Sequence, residues 1–213
     1  MKDYINYGDI SGEKINNWHE IFFKSENIKN KRVLDVGCAA GFFSREVNRR
    51  GGISLALDIN PKLKNVVEKH NVEFISGTVE ENLNIIKDFS PEIIVAFELI
   101  EHLYDPYPLL RQFKEILLSS KKNGKVFLST PNAFNIKRAI NFLIGQKLSD
   151  PLLDPVELGY DAEHIRMYSH NMVIKLLNNN GFEVKKKDIL SRKIFSLHKY
   201  LSSHILVRGS VKI

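Results

Sequence analysis

The sequence predicts an α/β protein: a doubly wound, mostly parallel seven-stranded sheet that ends in an antiparallel strand. Three observations carry this. Short apolar runs alternate with amphipathic stretches through about 180 residues, the pattern of right-handed βαβ units. The first run, Arg32-Val33-Leu34-Asp35-Val36, ends in a glycine-bracketed turn that opens a helix. The second run ends in an acid, Asp58, about 20 residues after that turn, where a doubly wound sheet presents groups to a ligand.

Each element has a local reason. Phe42 to Arg50 reads as a helix with Phe43 and Val47 on one face, closed by Gly51-Gly52. Ile53 to Leu57 is the second strand. Asn60-Pro61 places a cap and a first-turn proline before a helix to about His70. Val72 to Ile75 is the third strand, and Thr78-Val79-Glu80-Glu81 has capping-box spacing for a helix through Ile86. Glu92 to Phe97 is the near-continuous apolar run of a strand buried on both faces. Pro108 to Leu118 turns Leu109, Leu110, Phe113 and Leu117 inward, and Lys125 to Ser129 is the fifth strand. Phe134 to Ile144 reads as helical. Ser169 caps a last helix to Asn180, and Phe182 to Leu190 with His204 to Val211 reads as a closing strand pair.

Composition narrows the class. With 213 residues, 43% hydrophobic and 26% charged, the chain can bury a full core and is no fibre, disulfide miniprotein or disordered tail. The longest apolar runs, such as Ile93 to Phe97, fall far short of the about 20 residues that span a bilayer. Met1 to Ile10 is polar and lacks the apolar stretch of a signal peptide. The lone cysteine, Cys38, fits a reducing compartment, so the expectation is a cytoplasmic protein. A net charge of +6 favours anionic partners in general, but the basic runs (Lys31-Arg32, Arg49-Arg50, Lys121-Lys122, Lys185 to Lys187) are scattered at element ends or on polar faces, so a nucleic-acid partner is not the expectation. Residues 1–30, with Trp18, Phe22 and Phe23, are expected to form a helical cap over the substrate or, equally, to pack as core. Residues 31–213 form the main domain, with an insertion at 146–168 that holds two Asp-Pro pairs and no clear period.

Ligands of doubly wound sheets bind beyond the carboxyl ends of the strands, where the strand order reverses. Gly37 and Gly41 bracket a turn there, and glycine lets a ligand approach the main chain. The turn reads Gly37-Cys38-Ala39-Ala40-Gly41-Phe42, not G-x-G-x-x-G, which weakens a hydride-transfer reading. Asp58 is placed to accept the two hydroxyls of a ribose. Cys38 is read as a small turn residue and not a nucleophile.

These residues resemble the class I S-adenosylmethionine-dependent methyltransferases. Val33 to Phe43 resembles their first motif and Leu57-Asp58-Ile59 their second. Glu98-Leu99-Ile100-Glu101-His102-Leu103, Ser129-Thr130-Pro131-Asn132 and His164-Ile165-Arg166-Met167-Tyr168-Ser169 resemble later segments of the branch with quinone-biosynthesis, glycan or lipid, and small-RNA O-methyltransferases. The resemblance implies a Rossmann-like fold and S-adenosylmethionine as cofactor, with S-adenosylhomocysteine as product. It implies that Asp35 braces the turn and that Gly37, Cys38, Ala39 and Gly41 meet the methionine end. Asp58 would hold the ribose and Ile59 pack on the adenine. Gly77, Thr78 and Val79 would lie along the adenine edge, and Phe97 and Glu98 beside the sulfonium. Two positions depart from the family pattern: Ala39 stands where glycine is usual, and Thr78 where an acid is common.

Glu101, His102 and His164 are the candidate catalytic residues. Glu98, Glu101 and His102 have i, i+3, i+4 spacing. The resemblance implies that these three with His164 can hold a divalent metal that binds acceptor hydroxyls; the alternative is a Glu101–His102 acid–base pair. The expected activity is O-methylation of a small molecule or a glycan or lipid precursor. The rivals are an RNA 2′-O-methyltransferase, for which no RNA-binding module is visible, and a non-catalytic cofactor-binding regulator. The acceptor and the oligomeric state stay open.

Overall fold

The structure is a computed structural model that describes residues 15–120, 123–136, 140, 143–144, 164–190 and 202–211. The strands are β1 (Arg32–Val36), β2 (Ile53–Asp58), β3 (Glu73–Ser76), β4 (Ile93–Phe97), β5 (Lys125–Pro131), β6 (Phe182–Glu183) and β7 (His204–Val211). The helices are α1 (Asn17–Ser25), α2 (Phe42–Arg49), α3 (Lys64–Glu68), α4 (Leu83–Phe89), α5 (Tyr107–Ser119) and α6 (His170–Asn179). The sheet has seven strands in the order β3-β2-β1-β4-β5-β7-β6. The first five run parallel, and β7 runs antiparallel to both β5 and β6. The order reverses between β1 and β4, which places the ligand crevice beyond Val36 and Phe97.

Both sheet faces are covered. On one side Phe22 of α1 is fully buried, with its ring centroid 4.7 Å from Phe127 and 5.2 Å from Phe43, among Val33, Val95 and Leu206. On the other side α5 buries Leu110, Phe113, Ile116 and Leu117 against Leu34, Ile94 and Leu128. Leu109 is only partly buried, so Ile116 takes the inward place expected for it.

The structure shifts three local expectations. The helix expected from Asn60-Pro61 begins as a 3-10 turn (Pro61–Leu63), with Asn60 Oδ1 accepting from Lys62 N at 3.1 Å, before the short α3. The capping box at Thr78 forms reciprocally: Thr78 N donates to Glu81 Oε2 at 2.7 Å and Glu81 N to Thr78 Oγ1 at 3.2 Å. Even so, α4 starts only at Leu83, since the Asn82 amide donates to the Ser76 and Thr78 carbonyls and holds a turn there. The strand expected over Phe182 to Leu190 is cut to Phe182–Glu183, plus a single bridge from Ile189 to Val207. Between them Lys186–Asp188 coils into a 3-10 turn that brings the buried Asp188 carboxylate onto the Arg208 guanidinium, with Nε at 2.8 Å. A buried charge needs its partner more than the backbone needs two further ladder bonds. Residues 1–14 of the expected cap, most of the 146–168 insertion and part of the 134–144 helix lie outside the described residues. Among the described residues no helix is long and apolar enough to cross a membrane.

Candidate active site

Two clusters face the crevice. The first is built on the turn after β1. Gly37 N and Cys38 N donate to the Leu57 carbonyl at 2.8 and 3.1 Å, which ties the turn to the end of β2. Gly37 and Gly41 have φ of +76° and +75°, and a Cβ at Gly41 would meet Val67 at 2.9 Å, so both positions require glycine. Ala39 is also left-handed, at φ 46°, a conformation that costs an L-residue about 1–2 kcal/mol. Its amide compensates locally by donating to Asp58 Oδ2 at 3.1 Å.

Asp58 therefore carries two duties. Oδ2 accepts from Ala39 and Oδ1 from Asn60 N at 3.0 Å, which fixes the carboxylate against the turn. A carboxylate has about four lone-pair sites, so two remain for a ribose diol. Ile59 beside it is 73% exposed, an apolar surface available to a planar base. Asp35 is 3% exposed and accepts from Ser44 Oγ at 2.7 Å, which braces α2 against β1. Burial, with a smaller push from Asp58, raises its pKa to about 7 against the opposing Ser44 bond. Cys38 is buried, and burial with the Asp35 and Asp58 charges pushes its thiol far up, which leaves it inert. At the third strand Gly77 N donates to the Asp58 carbonyl at 2.9 Å. The Thr78 hydroxyl and amide are engaged by Glu81, and the Val79 side chain is in the core.

The second cluster lies beyond β4 and β5. Phe97 is buried at the end of β4 among Phe22, Phe43 and His19. Glu98 follows at φ 51°, so it does not share a helical turn with Glu101. Only Ile100–His102 is helical, as a 3-10 turn. The segment from His164 is stitched alongside: Ile165 N and Arg166 N both donate to the Glu101 carbonyl, at 3.0 and 3.1 Å. Arg166 Nε donates to the Leu103 carbonyl at 2.9 Å, and its Nη2 to that of Tyr104. This register brings the His164 ring within 4.9 Å of His102, and a ligand atom from each of Glu101, His102 and His164 falls within 4.8 Å of the others.

The two carboxylates of this cluster differ. Glu101 is 1% exposed, and the group beside its carboxylate is Thr130 Oγ1, near enough to oppose the effect of burial but outside good hydrogen-bond geometry. Burial holds its pKa well above the ordinary carboxylate range. Glu98 is raised in the same direction, by burial first and the Glu101 charge second. Yet Glu98 is held: Ser129 Oγ donates to its Oε1 at 2.6 Å, and His204 Nε2 lies 3.5 Å from its Oε2. The structure thus gathers Glu101, His102 and His164, and sets Glu98 with Ser129 and His204 instead. No local motif marks His204 in the sequence. Its place follows from the β5–β7 register, which sets His204 opposite Pro131.

A glycine turn, an acid after β2 with acceptor capacity to spare and a carboxylate–imidazole group after β4 thus face one crevice of a doubly wound sheet. The chain belongs to the Methyltransferase domain family, whose profile matches residues 12–187. It is 33% identical over 112 residues to a ubiquinone biosynthesis O-methyltransferase of Xanthomonas oryzae, a match covering 50% of this chain and 45% of that protein. The similarity is 25% over 184 residues to the enzyme of the same name from Vibrio vulnificus, covering 84% of this chain and 72% of that one. The chain thus spans about half the length of the first of these relatives. Among solved structures, magnesium protoporphyrin IX methyltransferase from Synechocystis, with bound S-adenosylhomocysteine, superposes with a TM-score of 0.58 at 11% identity. That match covers 91% of this chain and 80% of the other and shows the shared fold.

Proposed function

We propose that this domain transfers a methyl group from S-adenosylmethionine to an oxygen of a small molecule. The observation that carries the reading is the double anchoring of Asp58, fixed by Ala39 N and Asn60 N at the switch point while keeping acceptor capacity for a ribose. The similarity to ubiquinone O-methyltransferases supports an oxygen acceptor, and the structural neighbour with bound S-adenosylhomocysteine supports the cofactor.

The residues divide the work as follows. Gly37 and Gly41 let the main chain meet the methionine end, and Ile59 packs on the adenine. Phe97 and Glu98 flank the reacting methyl. Displacement at that methyl is in-line, so holding acceptor oxygen and methyl in register supplies much of the rate. The acceptor's proton must also leave, and Glu101, His102 and His164 are the groups placed to take it. The same three fit a divalent cation. A buried carboxyl beside two imidazoles, whose pKa burial raises, is a group that a bound cation would draw into its ionised, ligating form. A magnesium, manganese or zinc ion there would lower the pKa of a bound hydroxyl. Residues 15–30 and the segment from His164 would wall the acceptor space from opposite faces of the sheet.

The test is a screen with methyl-labelled cofactor against quinol, sugar and RNA acceptors. Label transfer to a quinol or sugar hydroxyl is expected. Transfer to an RNA 2′-hydroxyl, or tight cofactor binding with no transfer to any acceptor, overturns the small-molecule reading in favour of an RNA enzyme or a regulator. Activity that survives excess chelator leaves Glu101 and His102 as a metal-free acid–base pair.

A further inference from the structure

His102 and His164 meet because the residues that follow each of them are tied together. Tyr168 fixes the later segment from behind. It bridges to Asn132, its carbonyl accepts from Ala133 N at 3.1 Å, and its hydroxyl donates to the Ile100 carbonyl at 3.4 Å. Ile165 N and Arg166 N add their two bonds to the Glu101 carbonyl. Apart from the tyrosine hydroxyl, these are main-chain bonds that any residue but proline can make. The Arg166 side chain is different. Its Nε donates to the Leu103 carbonyl at 2.9 Å and its Nη2 to the Tyr104 carbonyl. Those two residues lie between the Ile100–His102 turn and α5, and the Tyr104 side chain is 86% exposed, so packing does little to hold the loop there. A guanidinium presents a planar fork of charged donors, which suits two adjacent carbonyls. One side chain thus ties the loop that leaves His102 to the segment that leaves His164, whose ring centroids lie 4.9 Å apart beside Glu101.

We propose that Arg166 is a positioning residue: its fork holds His164 against His102 and Glu101, and it meets neither cofactor nor acceptor itself. This rests on the reading of those three as the groups that take the acceptor's proton or hold a cation. The bonds that Arg166 makes among the described residues all lie on the acceptor side, so its loss should spare the cofactor cradle and loosen the imidazole pair. A displacement of about 1 Å at a reacting group can cost on the order of a hundredfold in rate, so a loosened His164 is felt in turnover.

The experiment compares the full chain with Arg166→Met, which keeps the stem and removes the donors, and with His164→Ala, alone and combined. Proton–carbon NMR of the histidine rings reads the geometry without acceptor or metal. Removing the His164 ring should shift the His102 signal in the wild-type background and shift it far less in Arg166→Met. Turnover of the quinol or sugar hydroxyl that wild type methylates should fall roughly tenfold to hundredfold in Arg166→Met. Arg166→Lys, a single point donor, should recover part of it. Once His164 is replaced, Arg166→Met should cost nothing more, since it acts through that ring. Calorimetric affinity for S-adenosylhomocysteine should stay within about twofold throughout. Should Arg166→Met not fold, Arg166→Gln, which can keep one carbonyl bond, should give a smaller loss of the same kind. Additive losses, an undiminished His102 shift, or equal loss of cofactor affinity would overturn the proposal alone. Turnover that survives His164→Ala, or a wild type that methylates no acceptor, would overturn the reading of the site beneath it.

Discussion

The crevice has two sides built in different ways. Beyond β1 and β2 the site is main chain held by main chain and by one carboxylate: Cys38 with Gly41 and Asp58 with Asn60 are near neighbours in sequence, and Ala39 with Asp58 joins the ends of two adjacent strands. These groups already have partners without a ligand. Beyond β4 and β5 the site is side chains brought from far apart, as with Glu98, Ser129 and His204, or Glu101 and His164, and it holds a buried carboxyl whose pKa burial raises. A preformed cradle suits a ligand that every turnover shares. A poised charge cluster suits the group where chemistry occurs and where relatives with other acceptors can differ.

The largest expected effect lies on the cradle side. Asp35 is an acid whose pKa is about 7 when folded, against an ordinary value of 3.8, because it is buried. Its contribution to stability is complete below pH 4 and is lost as pH rises through 7, since the unfolded chain ionises first. Asp35→Asn keeps an acceptor for Ser44 and should flatten that loss, gaining roughly 2–4 kcal/mol over wild type at pH 8 in denaturant titrations at pH 5 and 8. Equal stability of the two proteins at pH 8 would show that Asp35 is ionised at no cost.

On the proposed metal reading, the acceptor side responds to cations instead. Manganese at about 100 times its dissociation constant should stabilise the protein by about 2.7 kcal/mol, read as a rise in melting temperature. Glu101→Ala should abolish the rise. A rise that survives the substitution would place the ion elsewhere.

His19 sharpens the contrast from the α1 face. Burial against Phe43 and Phe97 lowers its pKa from 6.5 to about 4, so it stays neutral when folded. Stability from this group is present above pH 6.5 and is lost as pH falls toward 4, the opposite sense to Asp35. His19→Phe should remove about 1–2 kcal/mol of the acid-side loss between those pH values.

The smallest effect is at Ala39. Its left-handed backbone should make Ala39→Gly more stable by about 1 kcal/mol, provided the Asp58 bond is kept. A loss of stability would mean that the alanine methyl makes a packing contact worth more than the strain.

The same division governs what could be read from the sequence. The strands of the parallel sheet, the glycine turn and Asp58 are legible because their signals are local: an apolar run, a glycine pair, an acid at a fixed distance. Glu101, His102 and His164 were legible only as a resemblance, and their meeting depends on two backbone bonds to the Glu101 carbonyl that no local pattern announces. His204 was not legible at all. Its neighbours come from the β5–β7 register and from the docking of α1, while Glu98, grouped with Glu101 by spacing, is taken off the helical turn by its own left-handed backbone and bonds Ser129. The closing strand was overestimated because alternation over Phe182 to Leu190 says nothing of the Asp188–Arg208 pair that coils it.

The central claim is that the β1–β2 side is a nucleoside cradle for S-adenosylmethionine chemistry, and calorimetric titration with S-adenosylhomocysteine tests it most directly, with NADP as the control and Asp58→Ala beside wild type. Wild type should bind the homocysteine form and not NADP. Asp58→Ala should lose about 3 kcal/mol or more of that affinity, since two hydroxyl bonds to a carboxylate, each worth on the order of 1.5–3 kcal/mol, go with it. Binding of NADP with none of S-adenosylhomocysteine would contradict the account.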